Sequence, residues 1–289
     1  MLVTLKEILE IAEEKKIAVG AFNVPNLESL QAILGAAEEL QLPVIIQFAQ
    51  GHETHISLDE IGPIMMSHAK TATVPVCVHL DHGESLEYIQ KALDLGFTGV
   101  MYDGSVLPYE ENVANTKKAV EMAKKTGAYV EAELGSMGRR ETGTGERTGV
   151  DDETKIYTDP VQAKEFVAQT GVEALACSFG TTHGIYLTEP RLDFSVVENV
   201  RKECDGLPVV MHGGSGVSVE DFHKAIKAGV RKINYFTYMD KAAGSAMLKY
   251  VESIPEGKPA FFSDAALCAI AAMKENVKSA MRTFALLDA

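Results

Sequence analysis

The chain has 289 residues, of which 46% are hydrophobic and 24% are charged, which is enough for a large core and argues against disorder. Its formal net charge of −14 argues against nucleic acid or an anionic membrane as a partner, because both would repel it. The four cysteines form no CxxC pair, so reduced thiols are predicted rather than a disulfide framework. The acidic amphipathic N-terminus is unlike a signal peptide and no apolar run is long enough to cross a bilayer, so we expect a cytoplasmic protein.

Short apolar segments alternate with helical patterns along the whole chain. Continuous apolar runs are typical of parallel strands that are covered on both faces. Eight runs are predicted to be strands: 17–22, 43–48, 75–80, 99–103, 129–134, 174–179, 208–212 and 232–235. The segments between them carry helix boundary signals. Ser85 begins one helix and Gly96 ends it, whereas Ser218, with Asp221 as a weak capping box, begins another that Gly229 ends.

This alternation predicts the fold class. Eight strand-then-helix units after an N-terminal helix indicate a (β/α)8 barrel, or TIM barrel, as a single α/β domain over residues 1–289. A doubly wound open sheet is the alternative, but no GxGxxG motif follows the first strand. The long, glycine-rich polar segment at about 135–155 is predicted to be a mobile lid over the barrel mouth. Glu141 and Glu146 lie in it and are candidates for a group that closes over the site.

Three of the eight histidines are followed by glycine, and all three fall at or just after the end of a predicted strand: His82, His183 and His212. In a barrel, functional residues lie where the strands end. Three neutral imidazoles that converge there suit Zn²⁺ with an open coordination position. The following glycine lets the backbone approach a ligand closely. Any one of these histidines is equally well explained as a hydrogen-bonded strand-end residue, but three equivalent positions favour one catalytic zinc ion per subunit.

Other histidines keep two interpretations. His79 lies within the third strand and is either packed in the barrel interior or beside the site. His52 and His55 follow the second strand and either line the substrate pocket or belong to an ordinary loop.

Three carboxylates also lie at strand ends. Asp81 precedes a proposed zinc ligand and is placed for acid–base chemistry. Asp103 and Glu133 end the fourth and fifth strands, where a charge needs a cation, either a metal ion or a lysine or arginine. The glycine-rich turn at 212–216 offers a nest of backbone N–H groups for a phosphate, or is a plain loop.

Seven segments together resemble the class II (zinc-dependent) fructose- and tagatose-bisphosphate aldolase family, nearly over the whole chain: AFNVPNLES (21–29), VHLDHGES (78–85), MYDGS (101–105), VEAELG (130–135), GTTHGIY (180–186), PVVMHGGSG (208–216) and KINYFT (232–237). The resemblance implies reversible cleavage of a ketose phosphate or bisphosphate to dihydroxyacetone phosphate and an aldehyde through a metal-stabilised enediolate.

The resemblance also implies roles for individual residues. The zinc ligands are His82, His183 and His212. Asp81 handles the proton of the C4 hydroxyl, and Glu141 in the lid exchanges the carbon-bound proton. Asp103 and Glu133 match positions near a secondary metal site, and a monovalent cation is a further expected cofactor. The expected substrate and phosphate contacts are Asn23, Gln47, Gly184, Gly213, Ser215, Asn234 and Thr237. The expected partners are a small sugar phosphate and further copies of the chain, in a homodimer or homotetramer.

The sequence departs from the family pattern at the phosphate ends. Ala49 stands where the family often has serine, Leu187 where a lysine is common, and Phe236 where a small residue usually precedes the threonine. The hypothesis that follows is that one terminus of the substrate carries no phosphate or is bound differently. The candidates for replacement contacts are His52, His55 and Arg191.

Several functions remain compatible with this sequence. They are an aldolase of a ketose phosphate or bisphosphate, an aldolase of a ketose that lacks one phosphate, a sugar-phosphate C4 epimerase with the same site, and a non-catalytic partner subunit. A metal-dependent hydrolase is disfavoured, because the first strand, IAVGAF, holds no HxH pair.

Overall fold

The strands of this computed structural model, which describes residues 1–135, 157–182, 184 and 190–288, form one parallel sheet that closes into a barrel. Each of β2 to β8 pairs with the next strand in chain order, and β9 pairs with β2, so these eight strands form a closed ring. A short additional strand, β1, pairs with the start of β4. The strands are β1 (Leu2–Val3), β2 (Val19–Asn23), β3 (Val44–Ala49), β4 (Val76–Gly83), β5 (Gly99–Tyr102), β6 (Tyr129–Leu134), β7 (Ala174–Cys177), β8 (Val209–Met211) and β9 (Val230–Tyr235).

One helix follows each barrel strand, which confirms the predicted (β/α)8 fold with an N-terminal helix. The helices are α1 (Leu5–Lys15), α2 (Leu27–Leu40), α3 (Leu58–Thr71), α4 (Leu86–Asp94), α5 (Tyr109–Thr126), α6 (Pro160–Thr170), α7 (Phe194–Glu203), α8 (Val219–Ala228), α9 (Thr237–Ser253) and α10 (Phe262–Phe284). Helix α10 was not predicted as a separate helix from the sequence. It packs against α9 and α2. Within the described ranges, no helix is both long and apolar enough to cross a membrane.

Helix starts follow the capping signals in the sequence. The Ser85 side chain accepts a hydrogen bond from the backbone N–H of Tyr88, which confirms the predicted start of α4. Ser218 accepts the N–H of Asp221 in the same way, whereas the Asp221 carboxylate lies 3.3 Å from Lys224 Nζ and does not complete the capping box. Such caps satisfy N–H groups that the first turn leaves without a partner.

The barrel interior is apolar at one end and polar at the other. Helix α1 closes the amino-terminal end, where its Leu5, Ile8 and Leu9 pack with the inward-facing Ile45 and Val210 in a buried cluster. Because side chains alternate along a strand, the residues two positions further along, Gln47 and His212, also point inward, and they are polar. The site is therefore expected at the carboxyl ends of the strands, above a sealed base.

Most of the predicted lid lies outside the described residues. Of the segment at about 135–155, Gly135 is described and the remainder, including Glu141 and Glu146, lies outside the described residues.

Candidate active site

A cavity of about 370 Å³ opens at the carboxyl ends of the strands. Its described lining comes from the ends of β2, β3, β4 and β9, the segments after β3, β4, β7 and β8, and the first turn of α9. The lining residues are Asn23, Ala49, Gly51, His52, Asp81, His82, Glu84, Gly184, Gly213, Gly214, Ser215, Asn234, Tyr235, Phe236, Thr237 and Asp240. Most of the predicted contact residues thus meet in one pocket, and Gln47, buried below it, contacts Asp81.

Two of the three predicted zinc ligands meet in the structure. The rings of His82 and His212 lie 4.8 Å apart, edge to face. Together with Asp81 they form a group whose potential ligand atoms all lie within 4.8 Å of one another. His183 lies outside the described residues, and its neighbour Gly184 lines the same cavity.

Asp103 and Glu133 lie close to the same histidines. Asp103 Oδ2 lies 2.8 Å from His82 Nδ1, and both carboxylates belong to a second group of potential metal ligands with His82. Burial and the neighbouring Asp103 raise the pKa of Glu133 to about 8. Within the described ranges no lysine or arginine forms an ion pair with Glu133, and His212 Nδ1 lies 3.8 Å from its Oε2. Such an accumulation of carboxylates suits a cation.

Asp81 is fixed by side-chain amides from three strands. Asn23 Nδ2 and Gln47 Nε2 donate to Oδ2 at 2.9 Å and 3.1 Å, and Asn234 Nδ2 donates to Oδ1 at 3.0 Å. Burial alone would raise the pKa of Asp81, but the charges of His82, His212 and Lys232 and the Asn23 amide hold it well below its usual range. The carboxylate is therefore ionised and held in one orientation beside the two histidines.

A buried charge pair below the site was missed by the sequence analysis. Lys232 Nζ lies 2.9 Å from Glu131 Oε2, and both side chains are fully buried. Glu131 Oε1 also lies 2.8 Å from His212 Nε2, and Lys232 donates to Asn234 Oδ1 at 2.6 Å. The pattern that points to Glu131 is its spacing of two residues from Glu133, which places both on the inner face of β6.

His79 confirms one of its two interpretations, because it is fully buried inside the barrel. Its Nε2 lies 3.5 Å from Glu131 Oε2. Burial and the nearby Lys232 lower its pKa to about 3, so the ring is neutral at ordinary pH.

A glycine-rich turn and a helix start face the cavity from β8 and β9. Gly213 has φ +65°, and Ser215 Oγ accepts a hydrogen bond from the Phe236 backbone N–H at 3.4 Å. Helix α9 begins at Thr237, and no side chain within the described ranges caps it. Backbone N–H groups at such positions attract anions.

Of the three residues predicted to contact the substrate in place of the missing phosphate ligands, one is among the described residues that line the cavity. His52 lines the cavity, and its ring centroid lies 5.0 Å from that of Phe236. His55 is exposed and lies behind His52, with ring centroids 5.9 Å apart. Arg191 is exposed and is not among the described lining residues. The lining also includes Glu84 and Asp240, which the sequence analysis did not single out.

Comparison with known proteins agrees with this geometry. The family model "Fructose-bisphosphate aldolase class-II" matches residues 3–288. A fructose-bisphosphate aldolase of Staphylococcus aureus is 43% identical over 251 residues, covering 85% of each chain. A Bacillus subtilis protein described as "Probable fructose-bisphosphate aldolase" is 42% identical over 288 residues, covering 98% of this chain and 97% of the relative. The crystal structure of the YdjI aldolase from Escherichia coli K12 superimposes with a TM-score of 0.86 at 37% identity, covering 98% of this chain and 97% of that one. The chain therefore belongs to the class II fructose-bisphosphate aldolase family, whose members are lyases.

Proposed function

We propose that the protein is a zinc-dependent aldolase that reversibly cleaves a ketose phosphate into dihydroxyacetone phosphate and an aldehyde. The observation that carries this proposal is an ionised carboxylate, Asp81, fixed beside His82 and His212 at the mouth of the barrel. Family membership supports the reaction class.

The residues present fit a divalent ion. His82 and His212 offer imidazole nitrogens, and Asp81, Asp103 and Glu133 surround them with carboxylates. We assign His82, His183 and His212 as the zinc ligands, with His183 assigned from the sequence motif alone. Bound zinc would supply Lewis-acid polarisation of the ketose carbonyl. Asp103 and Glu133 are the candidate ligands of a secondary metal ion, and a monovalent cation near the pocket remains part of the proposal.

Asp81 takes the proton in the cleavage direction. As the C3–C4 bond breaks, the C4 hydroxyl proton passes to the Asp81 carboxylate, C4 becomes the aldehyde carbon, and the electron pair remains on the three-carbon fragment. The amides of Asn23, Gln47 and Asn234 hold the carboxylate in place for this transfer. We assign Glu141 as the lid group that then protonates C3, with Glu146 as the alternative.

The phosphate of the three-carbon fragment is assigned to the turn after β8 and the start of α9. Gly184, Gly213, Ser215 and Thr237 all line the cavity there, and an anion would supply the acceptor that the first turn of α9 lacks. Asn234, between this turn and Asp81, is placed to contact the reacting carbons.

Two half-reactions test the proposal. In D₂O the zinc-loaded protein should exchange a C3 proton of dihydroxyacetone phosphate for deuterium, which NMR measures. Treatment with EDTA should abolish the exchange. Asp81→Ala should lower cleavage by about 10²-fold or more while the exchange persists, because no C4 hydroxyl takes part in it. Glu141→Gln should slow the exchange, with Glu146→Gln as the matched control. Absence of zinc-dependent exchange would refute the assignment.

The products separate the remaining alternatives. An aldolase releases a three-carbon fragment from its ketose, whereas an epimerase does not and a non-catalytic subunit leaves the sugar unchanged. We expect a homodimer or homotetramer that acts in the cytoplasm, and light scattering of the zinc-loaded protein tests the assembly.

A further inference from the structure

The wall of the cavity that faces the aldehyde half of the substrate is acidic and aromatic. We propose that this enzyme takes an aldehyde without a phosphate, namely a neutral hydroxyaldehyde, so that its ketose carries a phosphate at the three-carbon end only. This inference rests on the proposed aldolase function and deepens it by naming the class of the second substrate.

The order of the strands separates the two halves of the pocket. The phosphate turn follows β8, and the start of α9 follows β9. Around the ring, β4 lies four strands from β8, on the opposite side of the barrel. With the three-carbon phosphate at the turn and the reacting carbons beside Asp81, the aldehyde half extends towards residues that follow β3 and β4.

The charge on this side is negative. Glu84 follows β4, and Asp240, three residues beyond the Thr237 assigned to the phosphate, lies close enough to His52 for its charge to oppose the lowering of the His52 pKa by burial. Both carboxylates line the cavity. The described lining contains no lysine or arginine, and Arg191 lies outside it. A phosphate dianion placed here would meet like charges, whereas a hydroxyl group can donate a hydrogen bond to a carboxylate.

His52 adds a neutral polar contact to this wall. Its ring packs against Phe236 at 5.0 Å and Phe48 at 6.2 Å between centroids. Burial lowers its pKa below the ordinary value near 6.5, so the ring carries little charge at neutral pH. Its Nδ1 is buried and has no hydrogen-bond partner within the described ranges, so a substrate hydroxyl that reaches it would satisfy an unpaired polar atom.

The neighbouring side chains offer nothing to a phosphate. Ala49 is paired with Asp81 in the β3–β4 ladder and presents a methyl group beside the catalytic carboxylate. Phe236 presents an aromatic ring at the head of α9. These two side chains and His52 form a surface that suits the C–H and O–H groups of a sugar chain.

The reaction in the synthetic direction balances with this substrate. C3 of dihydroxyacetone phosphate loses a proton and forms a bond to the carbonyl carbon of the hydroxyaldehyde. The carbonyl oxygen takes a proton and becomes the C4 hydroxyl, which gives a ketose 1-phosphate.

The test compares matched aldehydes with one donor. Consumption of dihydroxyacetone phosphate by the zinc-loaded enzyme is measured with D-glyceraldehyde and D-glyceraldehyde 3-phosphate, and with D-erythrose and D-erythrose 4-phosphate. We expect kcat/KM to favour the unphosphorylated member of each pair by about tenfold or more, since one or two like charges at short range have effects of this order. Preference for the phosphorylated members would overturn the inference, as would inertness of all four.

Asp240→Asn tests the cause of the preference. The ratio of kcat/KM for phosphorylated over unphosphorylated aldehyde should rise about fivefold, an effect of one charge near a solvated pocket. Glu252→Gln removes the same charge at the far end of α9 and should leave the ratio unchanged. Equal ratios in both variants would refute the role of Asp240. Proton exchange of dihydroxyacetone phosphate without any aldehyde is measured in parallel, so that loss of the exchange identifies a failure of the proposed function itself.

Discussion

Lys232 connects the residues that hold His212 with those that hold Asp81, which are far apart in the sequence. Its ammonium lies between Glu131, which holds His212, and Asn234, which holds Asp81. A fully buried cation is tolerated only when it is paired and hydrogen-bonded. The position of the carboxylate and that of one imidazole therefore depend on the same buried charge.

Replacement of Lys232 by methionine should destabilise the protein by about 3–5 kcal/mol, because it leaves the Glu131 carboxylate buried without its cation. Urea unfolding measures this change. Adding Glu131→Gln should restore part of the loss, since the uncompensated charge is then removed. Lys274→Met breaks a surface pair with Glu39 and should cost less than about 1 kcal/mol; an equal cost for the two lysines would contradict this account.

Single site residues were predictable where a side chain suited to metal binding or proton transfer lies at the end of a predicted strand. Asp81, His82 and His212 lie at the carboxyl ends of strands, and the structure brings them together. Glu131 lies in β6 and Lys232 in β9, and because the closed ring of strands brings them together, their pairing has no local signal. Asp240 enters the pocket only because α9 begins at the rim.

At the scale of elements, the end of β4 departs from regular geometry. His82 has φ +46°, in the left-handed region, and the β4–β5 register shifts between Leu80 and Gly83. Strained backbone of this kind concentrates at functional sites. The glycine after His82 is explained by protein packing: a Cβ at Gly83 would lie 2.9 Å from the Met101 carbonyl oxygen and 2.7 Å from Ile89 Cδ1. Packing accounts for this glycine by itself, and close approach of a ligand, the reason inferred from sequence, stays a prediction.

Gly83→Ala should therefore destabilise the protein by about 2 kcal/mol through overpacking and displace His82. Thermal unfolding and zinc titration measure the two effects. Gly244→Ala, in α9 where a Cβ meets nothing within 4 Å, should stabilise by up to about 1 kcal/mol. If both variants unfold at the same temperature as the parent, the packing argument at Gly83 fails.

The helices were predictable where a cap marks the start and a glycine the end, as in α4 and α8. Helix α10 was not separated because its start lacks a capping side chain within the described ranges, so no boundary residue marks it in the sequence.

At the scale of the whole molecule, the base of the barrel is closed by charge as well as by apolar packing. Glu13 at the end of α1 contacts Arg231 of β9 at 2.5 Å and Arg201 of α7 at 3.1 Å. The Arg231 side chain is 5% exposed. Because these residues are far apart in sequence, the contact links the first helix to the last strand of the ring.

Glu13→Gln should lower stability by about 2 kcal/mol at pH 7, the order of a charged hydrogen bond. Burial would raise the pKa of Glu13, but the hydrogen bonds from Lys16 and Arg231 outweigh it and lower the pKa from 4.5 to about 2. A depressed carboxyl pKa contributes stability that is complete above pH 4.5 and is lost as the pH falls towards 2. Urea melts from pH 7 to pH 2 should show the two proteins converging; a constant difference would contradict the charge-based explanation.

The closed ring was predictable from eight strand-then-helix units, since such units build parallel sheets and no motif of an open sheet was present. The contact of Glu13 with Arg201 and Arg231 was not predictable. In the sequence, a glutamate in an acidic helix resembles any solvated carboxylate, and only the folded barrel brings the two arginines to it.

The N-terminus of α9, which no side chain of the described residues caps, has a consequence for ligand release. If a phosphate accepts hydrogen bonds from the backbone N–H groups in the first turn of this helix, the ligand stabilises that turn. When the ligand dissociates, these N–H groups become exposed to water. Amide hydrogen exchange at Thr237, Tyr238 and Met239 should then be slow in the presence of dihydroxyacetone phosphate and fast without it. Release would thus include a small local unfolding, so the strength of one helical turn would help to set the lifetime of the complex.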